Sequence, residues 1–165
     1  MKLLTHRLAL RLAAVALALA LLAYGILAHG KKVVIAPPLP HAALQGGTLT
    51  TAALRGHAEA IVFFASWCPG CHTEAPAVEQ FASSAAGSGK VLSIDYSDYG
   101  NVRGFISRYR WTFPVLSDPD GVTGDAYGVA HLPTTVILNS QGDIVAREVG
   151  PQTVASLGRA LSAAG

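Results

Sequence analysis

The chain has 165 residues, of which 51% are hydrophobic and 13% charged, and its formal net charge is +2. Three of the 12 Lys and Arg residues lie in residues 1–29, so residues 30–165 hold 9 of them against 10 Asp and Glu and carry a net charge of −1. The basic excess therefore belongs to the N-terminus, which argues against the basic surface of a nucleic-acid-binding protein. The remaining length fits one domain.

Residues 1–29 have the pattern of an export segment. A basic flank precedes residues 12–28, which carry no charge. As a helix they span about 26 Å, slightly less than a hydrocarbon core of about 30 Å. Residues 26–28 also resemble a cleavage site, so a signal-anchor through 12–28 and a cleaved signal peptide both stay open. Either one places the rest of the chain on the extracytoplasmic side of the membrane, anchored or secreted.

Residues 30–40 are predicted to form a Pro-rich linker that holds the domain, residues 41–165, away from the membrane. At the start of this domain, Gln45-Gly46-Gly47-Thr48 predicts an N-terminal β-hairpin. A short helical turn through 52–54 follows it.

The rest of the domain alternates between strand and helix patterns. Strands are predicted at 60–65, 90–96, 134–138 and 144–149, and helices at 69–86, 101–109, 123–127 and 154–163. The last two strands form a hairpin. This order predicts an α/β fold with a central mixed β-sheet flanked by helices.

The only two cysteines, Cys68 and Cys71, lie where the first buried strand is predicted to meet the first long helix. Cys68 falls near the N-cap, and Pro69 takes the first helical position, where its missing N–H costs nothing. Unpaired amides and the positive end of the helix dipole then favour a thiolate at an exposed Cys68. A second thiol one turn further can resolve a mixed disulfide, so the spacing predicts thiol–disulfide exchange.

A structural disulfide and a zinc site are the alternative interpretations of the two cysteines. A disulfide that closes so short a loop adds little stability, and a domain of this length can bury its own core. Zinc needs about four ligands, and the six histidines include no suitably spaced pair beside the cysteines. We therefore predict neither a metal nor a cofactor.

Several motifs together resemble the thioredoxin fold. They are Trp67-Cys68 with Cys71 at a strand end, Leu132-Pro133-Thr134 before a strand, and the hairpin-plus-helix ending. Cys71-His72-Thr73-Glu74-Ala75-Pro76 and the segment 113–129 resemble its TlpA-like, ResA-like exported branch of thiol–disulfide oxidoreductases. The resemblance covers residues 41–165 and implies the thioredoxin fold with an N-terminal β-hairpin and a central αβ insert.

The resemblance also implies roles for single residues. Cys68 matches the nucleophile and Cys71 the buried resolving thiol. Pro133 matches a cis-proline that faces them and turns the backbone of Leu132 outward to pair with a bound peptide. Trp67 is either an apolar wall beside the sulfur that helps to bind substrate, or ordinary core packing.

Glu74 matches the acid of this branch. Thioredoxins proper carry a buried Asp six residues before the first cysteine, and Val62 stands there in this chain. Glu74 would instead accept the proton of Cys71, with its pKa raised by burial. The alternative is an exposed acid that only interacts with the helix dipole. His72 is interpreted as a solvent-facing helix residue.

No histidine lies between the two cysteines, and such a histidine stabilises the thiolate in strong oxidants of this fold. We therefore favour a reductase of disulfides in exported proteins, for example in cytochrome c maturation or copper tolerance, supplied by a membrane thiol–disulfide electron donor. A copper-binding or metallochaperone domain, a non-catalytic binding module and a thiol peroxidase are the alternatives.

Overall fold

The computed structural model describes residues 15–19 and 33–165. Residues 15–19 are helical and exposed. The predicted basic flank, most of the predicted membrane segment 12–28 and the predicted cleavage site lie outside the described residues. None of the helices described is both long enough and apolar enough to cross a membrane.

All further elements belong to the unit Val34–Gly165. Its strands are β1 (Ala42–Gln45), β2 (Glu59–Phe64), β3 (Val91–Tyr96), β4 (Val115–Asp118), β5 (Thr134–Leu138) and β6 (Ile144–Val149). Its helices are α1 (Pro69–Ala82), α2 (Val102–Tyr109), α3 (Val122–Ala126) and α4 (Val154–Ala164), with a 3-10 turn at Thr51–Leu54.

The strands form one mixed sheet in the order β1-β4-β3-β2-β5-β6. β2, β3 and β4 run parallel, and the other neighbours pair antiparallel. All six residues of β2 are buried, which explains its nearly continuous apolar sequence. The predicted α/β architecture with a mixed sheet is confirmed.

Alternate residues of β2 face two hydrophobic cores, because side chains alternate along a strand. Val62 and Phe64 belong to the core that includes residues of α1, α2 and α4. Ile61 and Phe63 belong to the opposite core, which includes Tyr127 at the end of α3. With both faces covered, the loops at the carboxyl ends of β2, β3 and β4 are left to form a site.

The predicted N-terminal hairpin is wrong, because β1 pairs antiparallel with β4 and residues 46–50 form no second strand. A Cβ on Gly46, where φ is 77°, would lie 2.9 Å from the Cα of Pro114. The side-chain amide of Gln45 donates 2.8 Å hydrogen bonds to the carbonyls of Trp111 and Phe113. These contacts hold β1 on the outer edge of β4, which supplies the hydrogen-bond partners that a hairpin would have supplied.

The segment between β3 and β5 forms α2, β4 and α3, as the predicted αβ insert requires. α1 ends at Ala82 rather than at the predicted residue 86. The hydroxyl of Ser84 donates a 2.6 Å hydrogen bond to the carbonyl of Phe81, and such a local bond competes with continuation of the helix.

Residues 34–40 belong to the segment predicted as a linker, but they pack against the domain. Ile35 forms an antiparallel bridge with Asp143, next to the start of β6. Leu39 is buried in the core that contains Ile61. The boundaries of the predicted export segment, linker and domain stay predictions.

Candidate active site around the two cysteines

The chain passes from β2 into α1 through residues 65–68, and Cys68 is the N-cap of the helix. Pro69 takes the first helical position. The Cys71 amide donates a 3.2 Å hydrogen bond to the Cys68 sulfur. This sulfur therefore faces an amide of the first turn and the positive end of the helix dipole. The predicted strand-to-helix position of the cysteines is confirmed.

Cys68 and Cys71 are joined as a disulfide, with their Cα atoms 5.3 Å apart. Only 4% of Cys68 and 2% of Cys71 is exposed. The predicted burial of Cys71 is confirmed, whereas the expectation of an exposed Cys68 is wrong for this disulfide-bonded state. Both residues belong to the core that includes α1.

The segment before β5 closes over the first turn of α1. The Leu132–Pro133 peptide bond is cis, as the resemblance implied. A Cβ on Gly70 would lie 2.9 Å from Cδ of Pro133 and 3.9 Å from the carbonyl oxygen of Leu132. The structure thus brings Pro133 and the half-buried Leu132 to Gly70, between the two cysteines, and leaves no room for a side chain there.

Glu74 lies one helical turn beyond Cys71 and is only 2% exposed. The amide of Gln152, in the loop before α4, donates a 3.0 Å hydrogen bond to its Oε1. Burial raises the pKa of Glu74 to about 7, and the hydrogen bond from Gln152 acts in the opposite direction. The alternative of an exposed acid at the helix start is wrong, and the group present is a carboxyl that titrates near neutrality.

The expectation of a solvent-facing His72 is also wrong. Its Nε2 lies 2.9 Å from the carbonyl oxygen of Ser66, and its Nδ1 lies 2.8 Å from the hydroxyl of Tyr109. A carbonyl only accepts, so Nε2 donates to Ser66, and in the neutral ring Nδ1 accepts from Tyr109. The ring also packs on Phe105, with centroids 4.9 Å apart. His72 therefore links the loop before Cys68 to α2.

Asp98 ties two loops of the site together, and the sequence analysis missed it. Its carboxylate accepts hydrogen bonds from the Ser66 amide (2.7 Å), the Ser66 hydroxyl (3.0 Å) and the Gly100 amide (2.6 Å). Desolvation opposes ionisation, but these bonds prevail and lower the pKa of Asp98. Its position in the sequence could have indicated a place in the site, because Asp98 and Cys68 follow the carboxyl ends of two neighbouring parallel strands.

Asp95, at the carboxyl end of β3, is a second acid that the sequence analysis missed. It is 5% exposed. Desolvation, followed by the nearby Asp98 and Asp118 carboxylates, raises its pKa to about 8. Asp95 therefore keeps its proton at neutral pH and hydrogen-bonds to Asp98. Among residues 15–19 and 33–165, no group of three or more His, Cys, Asp or Glu is placed to hold a metal ion.

Trp67 and Tyr99 form an exposed aromatic pair next to Cys68. Their rings stack with centroids 5.2 Å apart and planes inclined by 8°. The exposed fraction is 42% for Trp67 and 81% for Tyr99. The interpretation of Trp67 as core packing is therefore wrong, and its role as an apolar wall beside the sulfur stays a prediction.

Known proteins share both the sequence and the fold of this chain. The redoxin family matches residues 28–161. The thiol-disulfide oxidoreductase ResA of Halalkalibacterium halodurans is 30% identical over 67% of this chain and 64% of its own length, so the match spans just under two thirds of that relative. The thioredoxin-like protein YneN of Bacillus subtilis is 32% identical over 72% of this chain and 71% of its own length.

A solved structure extends this likeness to three dimensions. The crystal structure of a secreted Mycobacterium tuberculosis disulfide oxidoreductase, described as homologous to E. coli DsbE, has a TM-score of 0.63 and 28% identity. The match covers 76% of this chain and 95% of that one. The predicted thioredoxin fold is confirmed, and this chain belongs to the redoxin family, in its ResA-like branch.

Proposed function

We propose that this protein is a thiol–disulfide oxidoreductase of the bacterial cell envelope that reduces disulfides of exported proteins through Cys68 and Cys71. The observation that carries the proposal is the position of the two sulfurs. They lie at the start of α1 on either side of Gly70, which packs against Pro133, and buried Glu74 lies one turn further along the same helix. Two of the similar proteins are named disulfide oxidoreductases, which supports the activity.

Cys68 starts the reaction when the protein is reduced. The helix dipole and the amides of the first turn, including that of Cys71, stabilise its thiolate. The thiolate attacks one sulfur of a substrate disulfide and forms a mixed disulfide. The other substrate sulfur leaves with the electron pair of the broken bond and takes a proton from solvent.

Cys71 completes the reaction. The Glu74 carboxylate accepts the Cys71 proton, and the resulting thiolate attacks the sulfur of Cys68. The bond between Cys68 and the substrate breaks, and the second substrate sulfur leaves with its electron pair and takes a proton from solvent. The substrate has then gained two electrons, and the protein holds the Cys68–Cys71 disulfide seen in the structure. A membrane thiol–disulfide donor then returns two electrons, with two protons taken from solvent.

The segment of Leu132 and Pro133 supports substrate binding. It lies against Gly70, between the two cysteines. A substrate strand that pairs with the backbone of Leu132 would therefore pass across Cys68, as in strand addition to a sheet edge. Trp67 would form the apolar wall on the other side of the sulfur.

The residues between the cysteines support the reductase direction. Pro69 and Gly70 offer no side-chain donor to the Cys68 thiolate, and contact with Pro133 leaves no room for one at position 70. With the thiolate stabilised by backbone groups alone, the reduced state is favoured less than in strong oxidants of the fold.

The envelope location rests on the export pattern of residues 1–29 and on the secreted relative of known structure. The segment 12–28 would anchor the chain in the inner membrane or direct secretion. Substrates would be exported proteins with reducible disulfides, such as those of cytochrome c maturation or copper tolerance.

Trapping and redox equilibration test the proposal. Cys71→Ser should accumulate a mixed disulfide with a protein substrate such as insulin, and Cys68→Ser should form none. The wild-type couple, equilibrated in thiol buffers, should have a potential well below the value of about −120 mV of the oxidant DsbA. Failure of Cys71→Ser to trap any substrate would overturn the activity, and a potential near that of DsbA would overturn the reductase direction.

A further inference from the structure

A β-turn presents Cys68 to the start of α1. Residues 65–68 form this turn, and the Cys68 amide closes it with a 3.1 Å hydrogen bond to the carbonyl of Ala65. Cys68 is both the last residue of the turn and the N-cap of the helix. The conformation of the turn therefore decides where the Cys68 sulfur lies relative to the amides of the first helical turn.

Ser66, a central residue of this turn, is held by hydrogen bonds on both sides. Its amide and its hydroxyl donate to the carboxylate of Asp98, over 2.7 and 3.0 Å. Its carbonyl oxygen accepts a hydrogen bond from Nε2 of His72, which lies 2.9 Å away. Asp98 belongs to the loop after β3 and His72 to α1. Two separate elements therefore fix the peptide groups that flank Ser66.

His72 binds this region through its backbone as well as through its ring. Its amide donates a 3.2 Å hydrogen bond to the carbonyl of Cys68, the first backbone bond of α1. On the other side of the ring, the hydroxyl of Tyr109 lies 2.8 Å from Nδ1 and fixes the tautomer whose Nε2 carries the proton. The ring packs on Phe105 as well, so its orientation toward Ser66 is set from several directions.

The hydrogen bonds that hold the turn are independent of the disulfide. None of them involves a sulfur atom, so reduction of the bond between Cys68 and Cys71 breaks none of them. In the reduced protein the turn therefore still directs the Cys68 thiolate at the first-turn amides and the positive end of the helix dipole. Both lower a thiol pKa, so the geometry of the turn controls how much thiolate is present at neutral pH.

We propose that His72 is a positioning residue for Cys68, because its bond to the Ser66 carbonyl keeps the turn in the conformation in which the Cys68 thiolate meets those amides. The inference rests on the proposed function, in which this thiolate is the nucleophile. His72 acts through Ser66 and exchanges no proton or electron with the substrate. Without its donor, the turn spends part of the time away from the helix start, and a smaller fraction of Cys68 is ionised at a given pH.

The rate at which iodoacetamide labels Cys68 across a pH series tests this role. In a Cys71→Ser parent, Cys68 is the only thiol of the chain, so the rate follows its thiolate fraction. His72→Phe keeps a ring beside Phe105 and removes both hydrogen bonds of the imidazole. We expect labelling at about pH 6 to fall about 3- to 10-fold, the factor that one hydrogen bond contributes. At a pH where every thiol is ionised, the rate should stay close to that of the parent.

Two amide variants separate the hydrogen bond from the charge of the imidazole. His72→Gln is neutral, but its Nε2 is as many bonds from Cβ as that of histidine, so it donates to the Ser66 carbonyl and should restore the parent profile. His72→Asn reaches only the position of Nδ1 and should label as slowly as His72→Phe. His57→Phe is the matched control, because Nε2 of His57 also lies 3.0 Å from a backbone carbonyl, that of Gly89, but next to the amino end of β2. This control should keep the parent profile.

The outcomes separate the role of His72 from the proposed function. Urea denaturation identifies the folded variants, and His72→Asn decides if His72→Phe is not among them. If the parent labels with the inflection of an ordinary thiol, at about pH 8.5, the stabilised nucleophile of the proposed function is overturned and the role of His72 with it. If the parent inflection is lower but the Phe and Asn variants leave it unchanged, only the role of His72 is overturned. Failure of His72→Gln to restore the profile, or an equal shift in His57→Phe, would also overturn that role.

Discussion

The amide of Gln152 donates a 3.0 Å hydrogen bond to Oε1 of Glu74, so the loop before α4 holds the acid that lies one turn beyond Cys71. Burial raises the pKa of this acid to about 7 while the hydrogen bond limits the rise. Both its protonated and its ionised forms are therefore populated at neutral pH, as a group that accepts and returns a proton requires.

Glu74→Gln should slow the resolution of the mixed disulfide by Cys71 about 10- to 100-fold near neutral pH. The variant keeps the shape of the side chain but cannot accept a proton. In wild type the rate should rise through about pH 7, because only the ionised carboxylate accepts, and this inflection should disappear in the variant. Stopped-flow measurement separates this step from the attack by Cys68, which should change less. If Glu74→Gln resolves the mixed disulfide at the wild-type rate between about pH 6 and 8, Glu74 takes no part in this step.

Cys68 should be alkylated at lower pH than Cys71 in the reduced protein. The sulfur of Cys68 faces the first turn of α1, where amides and the helix dipole lower a thiol pKa. Iodoacetamide labelling across a pH series, read by peptide mass spectrometry, measures the order. In urea the two cysteines should label alike, since the helix is lost. Preferential labelling of Cys71 in the folded protein would contradict the assignment of the nucleophile.

Gly70→Ala should lower the free energy of unfolding by about 1–3 kcal/mol. The new Cβ would lie 2.9 Å from Cδ of Pro133, a ring atom that cannot rotate away. Gly158→Ala is the matched control, because its Cβ would lie 3.7 Å from a Phe81 ring carbon, an ordinary contact within α4. There the gain in helix propensity should stabilise the protein by up to about 1 kcal/mol. Urea denaturation of both variants measures their free energies of unfolding. Equal changes in the two variants would contradict the close contact between Gly70 and Pro133 as the cause.

Asp95→Asn should make the stability of the protein less dependent on pH. The pKa of Asp95 is about 8 in the folded protein and 3.8 as the ordinary value, so folding favours the protonated form. The contribution of protonated Asp95 to the free energy of unfolding is fully present below about pH 4 and is lost as pH rises toward 8. Asparagine cannot ionise and still offers an N–H to Asp98. Burial is the main cause of the raised pKa, so screening by solvent removes little of it, and we expect a relative stabilisation of the variant on the order of 3 kcal/mol between pH 5 and 8.

Urea denaturation at a series of pH values checks this expectation. Asp118 and Asp98 are the carboxylates that face Asp95, and they are unchanged in the variant. Parallel pH profiles for wild type and Asp95→Asn would show that Asp95 is ionised in the folded protein at neutral pH.

Patterns local in sequence were sufficient for the elements that carry the cysteines. The apolar run 60–65, the proline after Cys68 and the helical periodicity beyond it predicted the junction of β2 and α1. The segments 134–138 and 144–149 likewise predicted the hairpin of β5 and β6. These features depend on residues that are neighbours along the chain, so the sequence by itself determined them, and the motifs around Cys68, Glu74 and Pro133 were enough to identify the family.

Only the tertiary structure decided which distant segments meet. β1 has its partner in β4 rather than in a hairpin, His72 binds Tyr109, and Asp98 binds Ser66. Periodicity shows which face of an element is apolar, but it does not show what packs against that face. Hydrogen-bond partners and burial come from segments far apart in the chain, which is why the burial of Cys68 and the exposure of Trp67 followed from the folded arrangement alone.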